Sequence, residues 1–182
     1  MSGRFIAVVG PSGVGKDSVM EALAEAQPDL FLARRAITRP SAAGGEDFDG
    51  IDEAAFLRLE AEGAFALSWA AHGLRYGIPI AVETALAEGR DVLANLSRSM
   101  LTEAKLRFAR FEVLSLTASP DVLVDRLRGR GRETEAEITA RLTRADRALP
   151  DHIAAIKIDN SGPLKQTVAQ ALAALYPERA AR

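Results

Sequence analysis

Cysteine is absent from the 182 residues, which excludes a disulfide framework and any thiolate-bound metal. Long apolar runs are missing as well. No stretch approaches the roughly 18 residues that a membrane-crossing helix needs, and the N-terminus lacks the pattern of an export signal. A soluble cytoplasmic protein without a membrane partner is therefore expected. The net charge is only −2, so the chain lacks the overall basic footprint of a nucleic-acid binder, and no nucleic-acid partner is expected. That small sum hides an asymmetry: acidic residues gather over 46–62, while arginines crowd 126–147. Repeats and low-complexity blocks are also absent, apart from a short Ala/Arg tail after Pro177 that is expected to fray. Residues 1–182 make one domain, long enough to bury a core without covalent staples.

What is present is a phosphate-cradling loop, Gly10-Pro11-Ser12-Gly13-Val14-Gly15-Lys16-Asp17-Ser18. The G-x-x-x-x-G-K spacing is complete, but Asp17 stands where Ser or Thr is expected. Phosphates need converging backbone N–H groups, so glycines let the chain turn without Cβ obstruction while Lys16 reaches the β and γ phosphates. Context supports the motif. Phe5 to Val9 is a continuous apolar run of the kind buried on both faces of a sheet, and it ends at Gly10. From Asp17 the chain reads as helix, with Val19, Met20 and Leu23 on one face, until Pro28 stops it. That helix points its unpaired N–H groups and partial positive charge at the phosphates.

Strand and helix patterns alternate onward, predicting an α/β fold with a parallel sheet flanked by helices. Arg34 to Pro40 reads as extended, followed by a polar loop through Gly50. Asp52 caps a helix carrying Phe56 and Leu59 that ends at Gly63. Phe65 to Ala70 and a loop around Gly73 and Gly77 lead to Pro79 at a helix start, with Gly89 as its stop. Asp91 to Leu96 and Phe111 to Leu116 are core strands. Ser119-Pro120 opens a helix to about Leu127, and Thr134 to Glu137 forms a capping box before Ile138, Leu142, Ala145 and Leu149 at helical spacing. Ala154 to Ile158 is the last strand, and Leu164, Val168, Leu172 and Leu175 mark the closing helix.

Arginines within about 128–147 have two readings. One is a solvated helical face laced with i,i+4 ion pairs. The other is a lid over transferring phosphate, because arginine is a permanently charged bidentate donor to phosphate oxygens. Arg130 and Arg141 are the candidates for catalysis beside an intact phosphate loop, with Arg132, Arg144 and Arg147 in the same cluster.

G-P-S-G-V-G-K, T-R-P at 38–40, Y-G at 76–77, G-R-G-R-E-T-E at 129–135 and A-R-L at 140–142 together resemble the guanylate-kinase-like P-loop kinases over nearly the whole chain. The resemblance implies ATP as phosphoryl donor, Mg²⁺ as cofactor, a small acceptor-binding insertion over about 34–88 and an arginine-bearing lid. Guanylate kinases hold the acceptor's phosphate with a T-R-x-P-R segment, a following tyrosine and the tyrosine of Y-G. Arg39 and Tyr76 match, whereas Thr38-Arg39-Pro40-Ser41 lacks the second arginine and Phe48 roughly replaces the other tyrosine. The guanine-reading positions of that family hold Ser68, Ile78, Asn95 and Ser97, so guanine reading looks lost; a site built on such hydrogen bonds discriminates strongly by them.

The combination of G-K-D-S, L-S-W-A-A-H-G-L-R-Y-G-I-P at 67–79 and N-L-S-R at 95–98 is similar to the ribose 1,5-bisphosphate phosphokinases of phosphonate catabolism. That similarity implies transfer of the ATP γ-phosphate to a phosphorylated sugar, with Arg39, Tyr76, His72, Asn95, Ser97 and Arg98 on the acceptor side. Asp17 then binds Mg²⁺, directly or through water, or else simply complements the positive helix end. His72 either contacts substrate or packs its loop, Trp69 is core or a stacking surface, and Asn160 lies either at the adenine or in a turn. Two rivals remain: an ordinary guanylate or nucleoside-monophosphate kinase, and a non-catalytic interaction module, against which Lys16, Arg130 and Arg141 argue.

Overall fold

The computed structural model describes residues 2–40, 48–131, 134–145 and 148–177, without the side chains of Arg130, Arg141, Arg144 and Ala145. Five strands form an all-parallel sheet: β1 (Phe5–Val9), β2 (Phe31–Leu32), β7 (Val92–Asn95), β8 (Phe111–Thr117) and β9 (Ile156–Asp159), in the order β2-β7-β1-β8-β9. β1 is central and every residue in it is buried, which is why its sequence is uniformly apolar.

Alternation along β1 divides the core. Phe5, Ala7 and Val9 face one layer, with Leu101 and Ala104 of α4 (Leu101–Arg107) and Val82 and Ala85 of α3 (Ala81–Ala87). Ile6 and Val8 face the other, with Val19, Met20 and Leu23 of α1 (Lys16–Ala26) and Ala171 and Leu175 of α7 (Leu164–Leu175). Burying each such Leu, Ile or Phe stabilises by about 1.5–3 kcal/mol, which is what holds helices on both faces.

A second sheet of four strands has the order β4-β3-β6-β5, from β3 (Ala36–Ile37), β4 (Asp49–Gly50), β5 (Phe65–Ala71) and β6 (Leu74–Pro79). One face lies under α2 (Glu53–Ala61), where Phe56 stacks on Phe65 with centroids 4.7 Å apart. At its base, Ala66, Leu67 and Ile78 join the core of the main sheet, so the small sheet is rooted there.

Gly77 lies inside β6, not in the expected loop. The Phe65 ring lies so close that a Cβ at 77 would come within 2.6 Å of it, and glycine serves that contact rather than a turn. The expected helix near Pro79 starts two residues later, because Pro79 still belongs to the strand. The capping box is present, Thr134 N–H donating to Glu137 at 2.8 Å and Glu137 N–H to Thr134 at 3.3 Å, and it opens α6 (Glu135–Ala145). Leu149 falls beyond that helix. α5 (Pro120–Arg130) runs past Leu127 until Gly131 ends it in a left-handed conformation. β3 lies inside the stretch 34–40 read as extended, whereas β2, β4 and α4 carry too few residues or too weak a period to be read from sequence.

At the sheet end away from the phosphate loop, Arg4 pairs with Asp91 at 2.6 Å and Glu112 at 3.1 Å, while the Tyr176 hydroxyl donates to Asp91 at 3.0 Å. Burial, then the Asp91 charge, push the Tyr176 hydroxyl up to about 12, so it remains a donor at neutral pH.

Candidate active site

Topology places the site. β1 leads to β2 on one side of the sheet while its neighbour β8 leads to β9 on the other, so these two connections diverge and open a crevice beyond the strands' C-terminal ends. Four segments meet that edge: the phosphate loop after β1, Asn95 to Arg98 after β7, Ser119 after β8 and Asn160 after β9.

Gly15 caps α1 with φ 90°, a left-handed conformation that a side chain resists. Its missing Cβ matters for a second reason: the Asn160 amide nitrogen would lie 2.9 Å from it. Val14, fully buried, roots the loop in the core. The Lys16 ammonium donates to the carbonyls of Gly10 at 3.0 Å and Pro11 at 3.2 Å, folding over the loop itself. A phosphate oxygen offers a charged acceptor in the same space and makes the stronger bond.

A bracket from the opposite side holds the loop in shape. Asn160, 4% exposed, donates its amide N–H to the Val14 carbonyl at 2.7 Å and accepts from the Thr167 hydroxyl at 2.7 Å. Its amide is thus engaged with the loop and α7. Arg126, not singled out by sequence, donates to the carbonyls of Val14 at 3.1 Å and Asn160 at 2.8 Å. The signal for it was one arginine among several in a charge run; only the rotation of α5 turns it toward the loop.

Asp17 lies in the first turn of α1, half-buried, and its carboxylate accepts from the Asn95 amide at 3.3 Å. This contact joins the phosphate loop to the end of β7, where Ser97 and Arg98 follow; the Ser97 and Ser99 hydroxyls are 2.9 Å apart. A carboxylate beside the phosphate loop fits Mg²⁺, a hard cation that takes one or two carboxylates from a protein and its remaining oxygens from phosphates and water.

In the small sheet, Trp69 and Tyr76 lie on the face opposite α2. They pair directly across β5 and β6, their rings stacked with centroids 5.3 Å apart. Arg39 lies over the buried Phe48 ring at 4.4 Å, so the residue that roughly replaces a tyrosine supports that arginine.

A P-loop whose neighbours after β7 and β9 meet it at one sheet edge, in a chain that also carries an inserted four-stranded sheet, is the make-up of a small-acceptor kinase. Residues 2–171 match the guanylate kinase family. A ribose 1,5-bisphosphate phosphokinase from Ruegeria sp. (strain TM1040) is 51% identical over 98% of this chain and 94% of its own. Another from Chelativorans sp. (strain BNC1) is 46% identical over 95% of this chain and 85% of its own. This chain belongs to the ribose 1,5-bisphosphate phosphokinase family. Members of that family within the guanylate kinase group are ATP-dependent phosphotransferases, and so is this protein. Among solved structures, a guanylate kinase from Anaplasma phagocytophilum superposes with TM-score 0.66 at 20% identity, covering 97% of this chain and 86% of that one. A gluconokinase from Sinorhizobium meliloti 1021 gives 0.57 at 22%, covering 97% and 93%. Those two show the shared fold.

The structure also places Ser68 and Ile78, the residues that the resemblance matches to guanine-reading positions. Ser68 donates its hydroxyl to Glu60 at 2.6 Å, on the α2 face and away from Tyr76, while Ile78 is fully buried in the core. His72, offered as an acceptor contact or a loop residue, sits at the exposed tip of the β5–β6 hairpin with φ 54°, beside Gly73 at φ 73°. Two left-handed residues in a two-residue connection are what a type I′ turn requires, so His72 is placed as a turn residue. His152 lies apart, its ring 3.0 Å from the Thr102 hydroxyl.

At the expected lid, Arg128 forms a two-pronged ion pair with Glu135, both bonds 2.8 Å, joining the end of α5 to the start of α6. The Arg128 hydrogen bonds hold the Glu135 carboxyl below its ordinary value. Arg130 ends α5 and Arg141 lies within α6; their side chains, and residues Arg132 and Arg147 entirely, lie outside the described residues. No described helix is long and apolar enough to cross a membrane.

Proposed function

We propose that this protein transfers the γ-phosphate of ATP to the 1-phosphate of ribose 1,5-bisphosphate, yielding 5-phosphoribosyl 1-diphosphate and ADP. The observation that carries the reading is the 51% identity to a phosphokinase of that name across 98% of the chain. The acceptor cleft supports it: Ser68 and Ile78 offer no base-edge contact there, while Arg39 and Tyr76 suit a phosphorylated sugar.

In the reaction, an oxygen of the acceptor's 1-phosphate forms a bond to the γ-phosphorus as the bond to the ADP oxygen breaks, the electron pair leaving with ADP. The attacking group is already largely ionised at neutral pH, because a phosphomonoester loses its second proton near pH 6. No general base is required. What the protein supplies is alignment and charge. Lys16 leaves the Gly10 and Pro11 carbonyls for the β and γ oxygens, Arg39 holds the reacting acceptor phosphate, and Arg130 and Arg141 close from a lid over about 128–147. Asp17, oriented by Asn95, holds Mg²⁺; when bound, the ion supplies neutralisation of the phosphate charge. Residues 1–182 act as one kinase domain, in the cytoplasm, on a small molecule.

The test is to incubate the protein with MgATP and either ribose 1,5-bisphosphate or guanylate, and to identify the product by ³¹P NMR. A new diphosphate doublet pair from the sugar is expected; turnover of guanylate alone refutes the reading.

A further inference from the structure

We infer that Arg35 binds the second, non-reacting phosphate of the acceptor and makes the enzyme select a bisphosphorylated sugar. The inference rests on the kinase reading above and adds to it the residue that sets acceptor choice.

Placement comes first. Ile37 pairs with Tyr76 and Tyr76 with Trp69, so pleating puts residues 35, 37, 76 and 69 on one face of the small sheet. The other face carries Ser68, bound to Glu60, and Arg75, 3.1 Å from Glu53, and it is covered by α2. Arg35 therefore belongs to the face that looks away from α2, with Trp69 and Tyr76. Its neighbour Arg34 alternates outward, where it meets Asp49 at 3.0 Å.

The environment is unusual for a cation. Arg35 is 9% exposed, and its guanidinium carbon lies 5.2 Å from the Tyr76 ring centroid and 5.9 Å from that of Trp69. Removing a permanent charge from water is costly. Aromatic faces offset part of that cost and fix the plane of the group, orienting its N–H edge for bidentate recognition of an anion. The arrangement recurs four residues on, where Arg39 lies over Phe48. Along an extended chain the two arginines are at most about 13 Å apart at the Cα atoms, and long side chains can close that span. Two ring-supported arginines on one segment suit a compact anion with charge at both ends. A pentose bisphosphate is such an anion; a nucleoside monophosphate, with an uncharged base at its far end, is not.

The experiment compares ribose 1,5-bisphosphate and ribose 1-phosphate as acceptors, and ribose 5-phosphate as an added competitor, on wild type, Arg35→Met and Arg35→Lys, with KM for ATP measured alongside. In Arg35→Met, kcat/KM for the bisphosphate should fall on the order of 10²-fold, chiefly through KM, as when one partner of a buried charged contact is truncated. Any turnover of ribose 1-phosphate and the KM for ATP should change less than threefold. Ribose 5-phosphate, which carries only the non-reacting phosphate, should compete with the bisphosphate at least tenfold more weakly in both variants. If Arg35→Met does not fold, Arg35→Lys still decides, because it keeps charge and stem but lacks the two-pronged edge. Equal losses on both acceptors, a shifted KM for ATP, or unchanged competition by ribose 5-phosphate would overturn the inference. A wild type that ignores the bisphosphate and phosphorylates guanylate would instead overturn the kinase reading.

Discussion

Replacing Asn160 with alanine should destabilise the ligand-free protein by about 3 kcal/mol. The substitution deletes two buried hydrogen bonds of 2.7 Å, one to the Val14 carbonyl and one from the Thr167 hydroxyl. The two partners fare differently. Val14 keeps the Arg126 bond at 3.1 Å, whereas Thr167 falls back on the Asp159 carbonyl at 3.5 Å, the limit of a useful contact. Two lost bonds at about 1 kcal/mol each, plus about 1 kcal/mol for a poorly satisfied buried hydroxyl, give the total. For a chain of this size that corresponds to a Tm lower by roughly 6–12 °C. Urea denaturation without nucleotide is the assay, with ATP affinity measured separately. Asn160→Asp sharpens the test, because a carboxylate facing the Val14 carbonyl can donate only when protonated. Its folded-state pKa must be raised, so the folded state binds the extra proton over that window. The loss should exceed that of the alanine variant at pH 7 and shrink as pH falls toward 5. A loss under about 1 kcal/mol in Asn160→Ala, with ATP binding weakened, would place the amide on the nucleotide and refute the bracket.

Lys16→Ala should lower kcat by about 10² or more, as for removal of one transition-state donor, without a comparable loss of stability, since its described partners are the Gly10 and Pro11 carbonyls of its own loop. A folded variant with near-normal turnover would contradict that role. Asp17→Ala should raise the Mg²⁺ concentration for half-maximal rate by about tenfold; an unchanged Mg²⁺ titration would leave Asp17 as a complement to the helix end. Acid stability should depend on Asp91: burial pushes its carboxyl up, but the Arg4 side-chain and backbone bonds and the Tyr176 hydroxyl hold it below its ordinary value. A depressed carboxylate contributes fully above its unfolded value, about 4, and the contribution is lost as pH falls through the folded value. Asp91→Asn, about 2 kcal/mol less stable at pH 7 because Arg4 loses the nearer of its two carboxylates and keeps Glu112, should therefore show a shallower decline below about pH 4 in pH-dependent denaturation.

Local signals in the sequence determined the phosphate loop, its flanking strand and helix, the capping box at Thr134 and the family to which the chain belongs. These are legible because each depends on neighbours in the chain: glycine where φ is positive, an apolar run for a fully buried strand, a hydroxyl three residues before a carboxylate. Tertiary structure alone decided which face each polar side chain takes. Arg126 and Asn160, 34 residues apart, converge on the Val14 carbonyl only after β8 and β9 pair and α5 takes its rotation. Gly77 reads as a loop glycine until Phe65 is placed against it across the hairpin. Arg34 and Arg35 are indistinguishable as a dipeptide, yet the pairing of β3 with β6 sends one to solvent and the other onto Tyr76. Side-chain direction in a short strand is set by register with partners distant in sequence, and periodicity cannot read a strand of two residues.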